Sequence, residues 1–363
     1  MTALWAASQN ASAALAETLL EAGADPNRPL LAGETALMVA ARAGAPDVAR
    51  LLLAFGADTE ARGPRGQTAM MWAVAQHHAD VVAVLLAHGA DVAARSDVWS
   101  QMMAVPPHGQ PEYNADVPHG GNTALMFAAR NGDLASARLL IAAGADVEDR
   151  NAWGVSAVTM AAHAGYGRLV ALLLEAGAAP DAAEAGFAAI HAAVMRRDAQ
   201  MVATLLDHGA DPNAVLRTWT PTRRASRDFN FRPALIGATP IWLAARFAAP
   251  DVMRLLADHG ADPSFVHHAR YKRRYSQILT ESTTTLMAAA GMGGGRLEAW
   301  VPPDPAEVEL LALDAVQVAL ELGVDLHATD LGGRTALDGA RMARMRTVAA
   351  FLESQGARPG DGG

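Results

Sequence analysis

Cysteine is absent from this chain of 363 residues. Its absence excludes disulfides, thiol catalysis and the zinc sites that are built on cysteine. Lysine occurs once, at Lys272, so arginine supplies nearly all of the basic side chains, a bias that we associate with a bacterial source of high GC content. Aromatic residues make up only 5% of the chain, whereas apolar residues reach 51%. This composition predicts a core of alanine and leucine between closely packed helices.

Membrane and export signals are also missing from the printed sequence. No uninterrupted apolar run approaches the roughly 18 residues of a membrane span. The first positive charge is Arg28, so there is no basic region of a signal peptide at the start, and we expect a cytoplasmic protein. A repeat array normally ends in a polar cap, however, and Leu4, Trp5 and Leu15 are apolar. We therefore expect the natural product to begin earlier, which keeps a periplasmic location open.

A short sequence pattern returns throughout the chain. The tripeptide Gly-Ala-Asp, or a close variant, occurs nine times, and eight of the nine copies begin 21 residues after a threonine or another small residue. Successive copies of this anchor residue lie about 33 residues apart, or 33 plus an insertion. The anchors are Thr2, Thr35, Thr68, Thr123, Ser156, Ala188, Thr239, Thr284 and Thr335. A period of this length is typical of a repeat architecture.

The unit that starts at Thr35 shows how each copy is expected to fold. The Thr35 hydroxyl can cap a short first helix, whose small alanines allow close packing. A second helix follows and ends on the apolar run 51–53. Gly56 then ends that helix, because glycine adopts the left-handed conformation after a helix without strain. Gly33, two residues before the anchor, supplies the tight turn between units.

This pattern resembles the ankyrin repeat family, in which each unit is a turn followed by two helices with Thr-Pro-Leu-His-x-Ala and Gly-Ala-Asp signatures. The best matches are TPIWLAA at 239–245 and AAIHAA at 188–193. The signature proline and histidine each occur once, the histidine as His191. The resemblance implies an all-α repeat solenoid of about nine ankyrin units over residues 1–358, joined by β-turn or hairpin fingers. Residues 359–363 are expected to form a disordered tail.

Four insertions interrupt the period, near residues 96–119, 217–236, 266–282 and 291–305. The last one separates the two helices of its unit, and the second helix is expected to resume from Glu307. The second insertion contains five arginines and one aspartate, and the third contains three arginines, one lysine and one glutamate. Since the whole chain has a net charge of −9, two basic fingers are expected to project from an acidic body. The resemblance implies that both lie on the concave side of the array.

The insertions are the first candidate binding residues. Insertions between repeats often form the binding face, and arginine, tyrosine and tryptophan dominate binding hot spots. We therefore predict that basic and aromatic side chains of the first three insertions contact a partner. These are Trp99 and Tyr113 in the first, Arg223, Arg224, Arg227, Phe229 and Arg232 in the second, and Tyr271, Arg273, Arg274 and Tyr275 in the third.

The ends of the first helices supply a second candidate set. Residues seven and eight positions after each anchor are expected to line the inner groove, and helices of neighbouring repeats pack about 8–10 Å apart. Positive potential in such a groove recruits anionic partners, and arginine suits bidentate contact with a carboxylate or phosphate. The predicted groove residues are Arg42, Arg130, His163, Arg196 and Arg246, with Gln76, Asn131 and Phe247 beside them.

These features predict a non-enzymatic scaffold that binds a protein partner with an acidic surface. The alternative is a phosphate-rich ligand or nucleic acid bound by the same basic fingers, with bases stacked on Tyr271, Tyr275 or Phe229. The acidic body disfavours extended contact with nucleic acid. A third interpretation is an enzyme regulator that covers the active site of its partner, which the sequence does not separate from the first. The arginines are otherwise interpreted as simply solvated or paired with acids of the next repeat. We expect a monomer.

No cofactor, metal or catalytic group is expected. The pairs His77-His78 and His267-His268 lack a third ligand at useful spacing, and 293–296 lacks the Gly-Lys-Ser ending of a phosphate loop. His88, His208 and His259 each precede a capping glycine. A cation in the last helical turn complements the helix dipole, so we expect these three to be structural.

Overall fold

The computed structural model describes residues 2–104, 114–220, 231–272, 277–294 and 304–362. In these ranges the chain forms nine pairs of helices, as the nine anchors predict. The first helices of the pairs are α1 (Ala3–Gln9), α3 (Ala36–Ala43), α5 (Ala69–Ala75), α7 (Ala124–Asn131), α9 (Ala157–Ala164), α11 (Ala189–Met195), α13 (Pro240–Arg246), α15 (Thr285–Ala289) and α17 (Ala336–Met342).

The second helices follow after short turns in every pair but the eighth. They are α2 (Ala13–Glu21), α4 (Pro46–Ala54), α6 (Ala79–Ala87), α8 (Leu134–Ala142), α10 (Gly167–Glu175), α12 (Ala199–Asp207), α14 (Pro250–Asp258), α16 (Pro305–Glu321) and α18 (Arg346–Ser354). The fourth insertion separates α15 from α16, as expected. Helix α16 has 17 residues, whereas the other second helices have nine.

Side-chain caps explain where several first helices begin. The hydroxyl of Thr35 accepts the Met38 N–H at 3.4 Å, and the hydroxyl of Ser156 accepts the Thr159 N–H at 3.2 Å. Thr2 and Thr284 cap α1 and α15 in the same way. The predicted cap is not formed by three anchors, which are buried but make no capping hydrogen bond: Thr68, Thr123 and Thr239.

The Gly-Ala-Asp tripeptide has a role beyond ending the second helix. Gly56 has φ of 83°, as expected for the residue after a helix. The carboxylate of Asp58 accepts the Glu60 N–H at 2.8 Å, which closes the next turn. The side chain of Asn27, from the preceding repeat, donates to the Gly56 carbonyl at 2.8 Å and accepts the Asp58 N–H at 2.7 Å. The aspartate therefore shapes the loop whose backbone holds the neighbouring repeat.

The chain forms two compact units, and the first comprises Met1–Gln101 and Val117–Ala179. Within it, α1, α3, α5, α7 and α9 pack in succession, and α2, α4, α6, α8 and α10 form a second layer. The alanine five positions after each anchor is fully buried, for example Ala40, Ala73 and Ala128. Small side chains at this position let the first helices approach closely, as the composition predicts.

The second compact unit comprises Met102–Asp116 and Pro180–Gly363. Within it, α11, α13, α15 and α17 pack in succession, as do α12, α14, α16 and α18. Its largest fully buried side chain is Trp242. The Trp242 Nε1–H donates to the Thr283 carbonyl at 3.2 Å, and its ring lies 4.2 Å from that of His267.

Two insertions each form a two-stranded sheet, which is antiparallel in the third insertion. The first insertion contains β1 (Val98–Ala104) and β2 (Asn114–Gly120). The third contains β3 (Val266–Lys272) and β4 (Ile278–Thr284), in a register that pairs Val266 with Thr284 and Lys272 with Ile278. The hairpin fingers that the resemblance implies are therefore present.

The chain after α18 makes two hydrogen bonds to the start of α17. The Gly360 N–H donates to the Asp338 carboxylate at 2.8 Å, and the Thr335 hydroxyl donates to the Arg358 carbonyl at 3.0 Å. Asp338 also accepts the Thr335 N–H at 2.9 Å. The disorder of residues 359–363 stays a prediction.

Candidate interaction surface

Two arginines of the first unit lie against aromatic rings. The guanidinium of Arg42, in the last turn of α3, lies 5.1 Å from the centre of the Trp72 ring on α5. The guanidinium of Arg130, at the end of α7, lies 4.8 Å from the centre of the Phe127 ring. We call these four residues the arginine–aromatic row. Helices α3, α5 and α7 pack in succession, so the row crosses three neighbouring first helices.

The two arginines differ in their acidic neighbours. Glu34 approaches Arg42 at 3.7 Å, at the long end of an ion pair. Arg130 is exposed at the surface, although partial burial of its guanidinium lowers its pKa. Within the described ranges no carboxylate forms an ion pair with it. The row therefore holds two cations and only one nearby acid.

Sequence reasoning did not identify the two rings. Trp72 and Phe127 each lie four positions after an anchor, in successive units, where none of the other units has an aromatic residue. The sequence therefore showed that the two rings hold equivalent positions in neighbouring units. Their contact with Arg42 and Arg130 depends on how α3 packs against α5 and on the side-chain rotamers on α7, which the sequence does not give.

The other predicted groove residues are more enclosed. His163, near the end of α9, and Arg196, directly after α11, are half-buried and already interact with other residues of the chain. Their assignment to a binding site stays a prediction.

Arg246 bonds to other residues within the second unit. Its Nε–H donates to the Gly293 carbonyl at 2.7 Å. Burial lowers its pKa to about 10, against the opposing influence of Glu281 and Tyr271. The guanidinium therefore joins α13 to the turn after α15. The interpretation that some groove arginines pair locally fits this residue.

The predicted role of Phe247 is wrong. Its side chain is only 1% exposed and belongs to the core. The helix α13 ends at Arg246, and Phe247 turns inward as its C-cap residue. A ring in this position cannot contact a partner without local unfolding.

The described ends of the second insertion are anchored in the repeat. Phe231 is fully buried, with its ring 5.5 Å from Phe187 and 6.2 Å from His191. The Phe231 N–H donates to the Thr220 hydroxyl at 2.8 Å. Arg232 is half-buried and interacts within the chain. Four other predicted residues lie outside the described ranges: Arg223, Arg224, Arg227 and Phe229.

The aromatic residues of the first insertion make a local stack. The Trp99 ring on β1 stacks on His119 of β2, with 5.5 Å between ring centres. The guanidinium of Arg65, which sequence reasoning missed, lies 4.6 Å from the Trp99 ring. Tyr113 lies outside the described ranges. Trp99 is half-buried, so a partner could contact only part of its surface.

The tyrosine of the third insertion is held by an acid of the same hairpin. The Tyr271 hydroxyl donates to Glu281 Oε1 at 2.8 Å, and Glu281 Oε2 accepts the Gly294 N–H at 3.2 Å. Three further predicted residues lie outside the described ranges: Arg273, Arg274 and Tyr275.

A cleft of about 510 Å³ lies beside α11 in the second unit. Its lining includes Asp181, Glu184, Asp211 and Arg217. Burial raises the pKa of Asp181, and its carboxylate accepts the Asp211 N–H at 2.9 Å. With three carboxylates and one cation, this cleft does not suit the acidic partner that the sequence predicts.

The histidines have structural partners. Nδ1 of His88, His208 and His259 each lies 2.8–2.9 Å from a carbonyl one turn earlier. This confirms their predicted place at helix ends. Among the described residues, no cluster of three or more histidine or acidic side chains could hold a metal ion. In the same ranges, none of the helices has the length and apolarity needed to cross a membrane.

Comparisons with known proteins agree with this architecture. The family described as "Ankyrin repeats (3 copies)" matches residues 2–96 and 125–215, and "Ankyrin repeat" matches residues 236–268. No match was found among curated proteins. The crystal structure of the human ASB11 ankyrin repeat domain is 20% identical to this chain, with a TM-score of 0.53. That alignment covers 72% of this chain and 100% of that domain.

The structural likeness concerns the fold, because the identity is low. The matched family profiles cover more than half of the chain, and their limits follow the repeats that the anchors define. The chain belongs to the ankyrin repeat family.

Proposed function

We propose that this protein is a non-enzymatic scaffold that binds an acidic protein partner through the arginine–aromatic row. Ankyrin repeats generally mediate protein–protein interaction, which gives the broad class of function. The finer proposal concerns the surface that is used and the charge of the partner. It rests on Arg42, Trp72, Phe127 and Arg130.

The placement of two guanidinium groups over aromatic rings carries this proposal. A ring under the guanidinium limits its conformational freedom, so less entropy is lost when a carboxylate binds. The N–H groups lie in the plane of the guanidinium and remain geometrically suited to a bidentate contact. Arginine and tryptophan are also the residue types that dominate interface energetics.

The row supports binding better than the corresponding residues of the second unit do. There, Arg246 bonds to the Gly293 carbonyl and Phe247 is buried. Arg130, in contrast, is exposed and lies over the Phe127 ring of its own helix, with no ion pair among the described residues. These contacts support the first unit as one place where a partner binds.

A site-specific crosslinking experiment tests the proposal. A photoreactive amino acid replaces Gln76, which is exposed at the end of α5. A control protein carries it at Arg138, exposed on the second-helix layer. Mass spectrometry then identifies proteins that crosslink from position 76 but not from position 138. The same experiment is repeated with the double variant R42E/R130E.

The charge-matched control is R138E/R168E, which reverses two exposed arginines on α8 and α10. We expect R42E/R130E to lower the crosslinked yield at least about tenfold, equivalent to about 1.4 kcal/mol. The control is expected to retain the yield. Equal loss in both variants, or no protein specific to position 76, would contradict the proposal. A nucleic acid captured instead, with affinity falling steeply as salt rises, would favour the alternative function.

A further inference from the structure

The hairpin β3–β4 has two faces of different chemistry. Along β3, burial alternates: His267 and Ala269 are buried, whereas Val266, His268 and Arg270 are exposed. Successive side chains of a strand point to opposite faces. The register of β4 extends each face across the second strand.

The inward face binds the hairpin to its repeat. His267 packs on Trp242, and its Nε2 lies 3.0 Å from the Ile236 carbonyl. Ala269 pairs with Glu281, and Glu281 bonds to Tyr271. The single acid of the two strands is therefore on the inward face and already satisfied.

The outward face carries two cations, an imidazole and hydroxyl groups. On β3 it presents the exposed side chains of His268 and Arg270 and the half-buried Lys272, which already interacts with another residue of the chain. On β4 the residues paired with these three are Ser282, Thr280 and Ile278. No aspartate or glutamate belongs to this face in the two strands. Arg270 is exposed and has no ion pair among the residues that the structure describes. The segregation of the acid inward leaves a face of positive charge on a protein whose net charge is −9.

The spacing of these three side chains matches an extended peptide. Alternate residues of a β-strand lie about 6.6–6.8 Å apart along the strand. A partner segment in the same conformation places alternate side chains at that same interval. Glutamate or aspartate at every second position would therefore meet His268, Arg270 and Lys272 in turn. Exposed Val266 and Ile278, at opposite ends of the face, add apolar contact.

This face suits a peptide better than a nucleic acid. Single-stranded nucleic acid is bound by combining positive charge with aromatic rings on which the bases stack. The phenol ring of Tyr271 belongs to the inward set and bonds to Glu281. The outward face of the two strands has one ring, the imidazole of His268, and so offers no series of rings for successive bases.

We propose that the outward face of β3–β4 binds an extended acidic segment of a protein, with acidic side chains at alternate positions. This inference rests on the proposed scaffold function and specifies the chemistry of one contact. The segment lies along β3 with its carboxylates on His268, Arg270 and Lys272. The hydroxyl groups of Thr280 and Ser282 accept or donate the remaining hydrogen bonds.

A labelled synthetic peptide tests this assignment with the full chain. In the probe, glutamate alternates with threonine. A comparison peptide contains the same number of glutamates at every third position, so that successive glutamates face opposite sides of an extended chain. Binding is measured by fluorescence anisotropy at low salt and again at physiological salt. A labelled oligothymidylate serves as the nucleic-acid probe.

Two kinds of variant separate binding from folding. R270E/K272E reverses two outward charges and is expected to weaken the alternating peptide at least about tenfold. Thr280→Glu leaves all cations in place but puts a carboxylate directly opposite Arg270. A cross-strand pair of opposite charges stabilises a hairpin, so this variant should fold normally and still weaken the peptide about threefold. The control R138E/R168E has the same change in net charge as R270E/K272E and should alter binding less than twofold.

The proposal is supported if the wild-type chain prefers the alternating peptide and both hairpin variants lose this preference. Equal affinity for the two peptides, no peptide binding, or equal loss in the control overturns it. Tighter binding of oligothymidylate through Arg270 also overturns it in favour of nucleic acid. If the peptide does not bind but crosslinking from position 76 is retained, this inference is rejected and the scaffold proposal is kept. Loss of that crosslinking rejects the scaffold proposal.

Discussion

Nδ1 of His191 accepts a hydrogen bond from the backbone N–H of Ala188 at 3.1 Å. Ala188 is the one anchor without a hydroxyl. The imidazole pairs the N–H of the anchor itself, whereas the hydroxyl of Thr35 pairs the N–H three residues later. The other ring nitrogen, Nε2, lies 3.0 Å from the Ala214 carbonyl and donates to it. This neutral tautomer joins the beginning of the first helix to the loop that follows α12.

This arrangement predicts a pH dependence of stability. Burial lowers the pKa of His191 to about 4, below the ordinary value of 6.5. Above pH 6.5 the ring is neutral in both states and the histidine's contribution is complete. As the pH falls from 6.5 to 4, the unfolded chain takes up a proton that the folded chain excludes. We expect the free energy of unfolding to fall by about 3 kcal/mol over this range. Urea unfolding, followed by spectroscopic signals from the second unit, measures this change.

The variant H191M provides the comparison, since methionine occupies the same position after Thr35, Thr68, Thr123 and Thr284. It should be less stable than wild type at pH 8, because two backbone groups lose their partner. The difference between the two proteins should shrink as the pH falls toward 4. A difference that stays constant with pH would show that His191 does not titrate as described. The pKa of His267 is also lowered. Because His267 is present in both proteins, its contribution to the pH dependence of stability cancels in the comparison.

Two glycines with similar backbone angles should tolerate alanine differently. Gly44 has φ of 68°, and an added Cβ would lie 2.6 Å from the His78 ring. Gly56 has φ of 83° with no atom within 4 Å of the added Cβ. We expect Gly56→Ala to cost about 1–2 kcal/mol from the left-handed backbone. Gly44→Ala should cost about 1–3 kcal/mol more because the ring must move. Equal unfolding midpoints in urea would contradict the described approach of His78.

Truncation of Phe231 should destabilise the second unit. The residue lies in an insertion but is fully buried between Phe187 and His191. Phe231→Ala is expected to cost about 3–5 kcal/mol, the usual range for a buried phenylalanine. Phe55→Ala, at a side chain that is 44% exposed, should change stability by less than about 0.5 kcal/mol. Similar thermal midpoints for both variants would place Phe231 outside the core.

Removal of the Tyr271 hydroxyl should loosen the hairpin without affecting peptide binding. Tyr271→Phe loses the 2.8 Å bond to Glu281, at a cost of about 1 kcal/mol. Hydrogen exchange in β3 and β4 should become faster. Affinity for the alternating acidic peptide should stay within twofold, because Tyr271 belongs to the inward face. A large loss of affinity would instead assign the tyrosine to the binding surface.

The periodic part of the fold follows from local chemistry. A threonine that caps a helix, as Thr35 does, and a glycine that ends one, as Gly56 does, act within a few residues of themselves. These signals therefore predicted the nine helix pairs. The role of Asp58 was not predicted, since it requires the side chain of Asn27 from the preceding repeat.

The candidate site was predicted only in part. The spacing placed Arg42 and Arg130 at equivalent helix ends, and the structure adds the rings beneath them. The same spacing assigned Phe247 to the surface, although its side chain is buried. A position at the end of a helix fixes where the backbone lies, but the side chain's direction depends on the neighbouring elements.

The amino-acid order alone was enough to specify the ankyrin units, because helix caps, left-handed glycines and buried alanines are local and recur with each copy. The insertions have no such repetition. Whether Phe231 enters the core, or Glu281 faces Tyr271 instead of Arg270, depends on contacts between segments distant in the chain. Those contacts arise only when the strands and helices are packed together, so the charge on the outward face of β3–β4 became visible only in three dimensions.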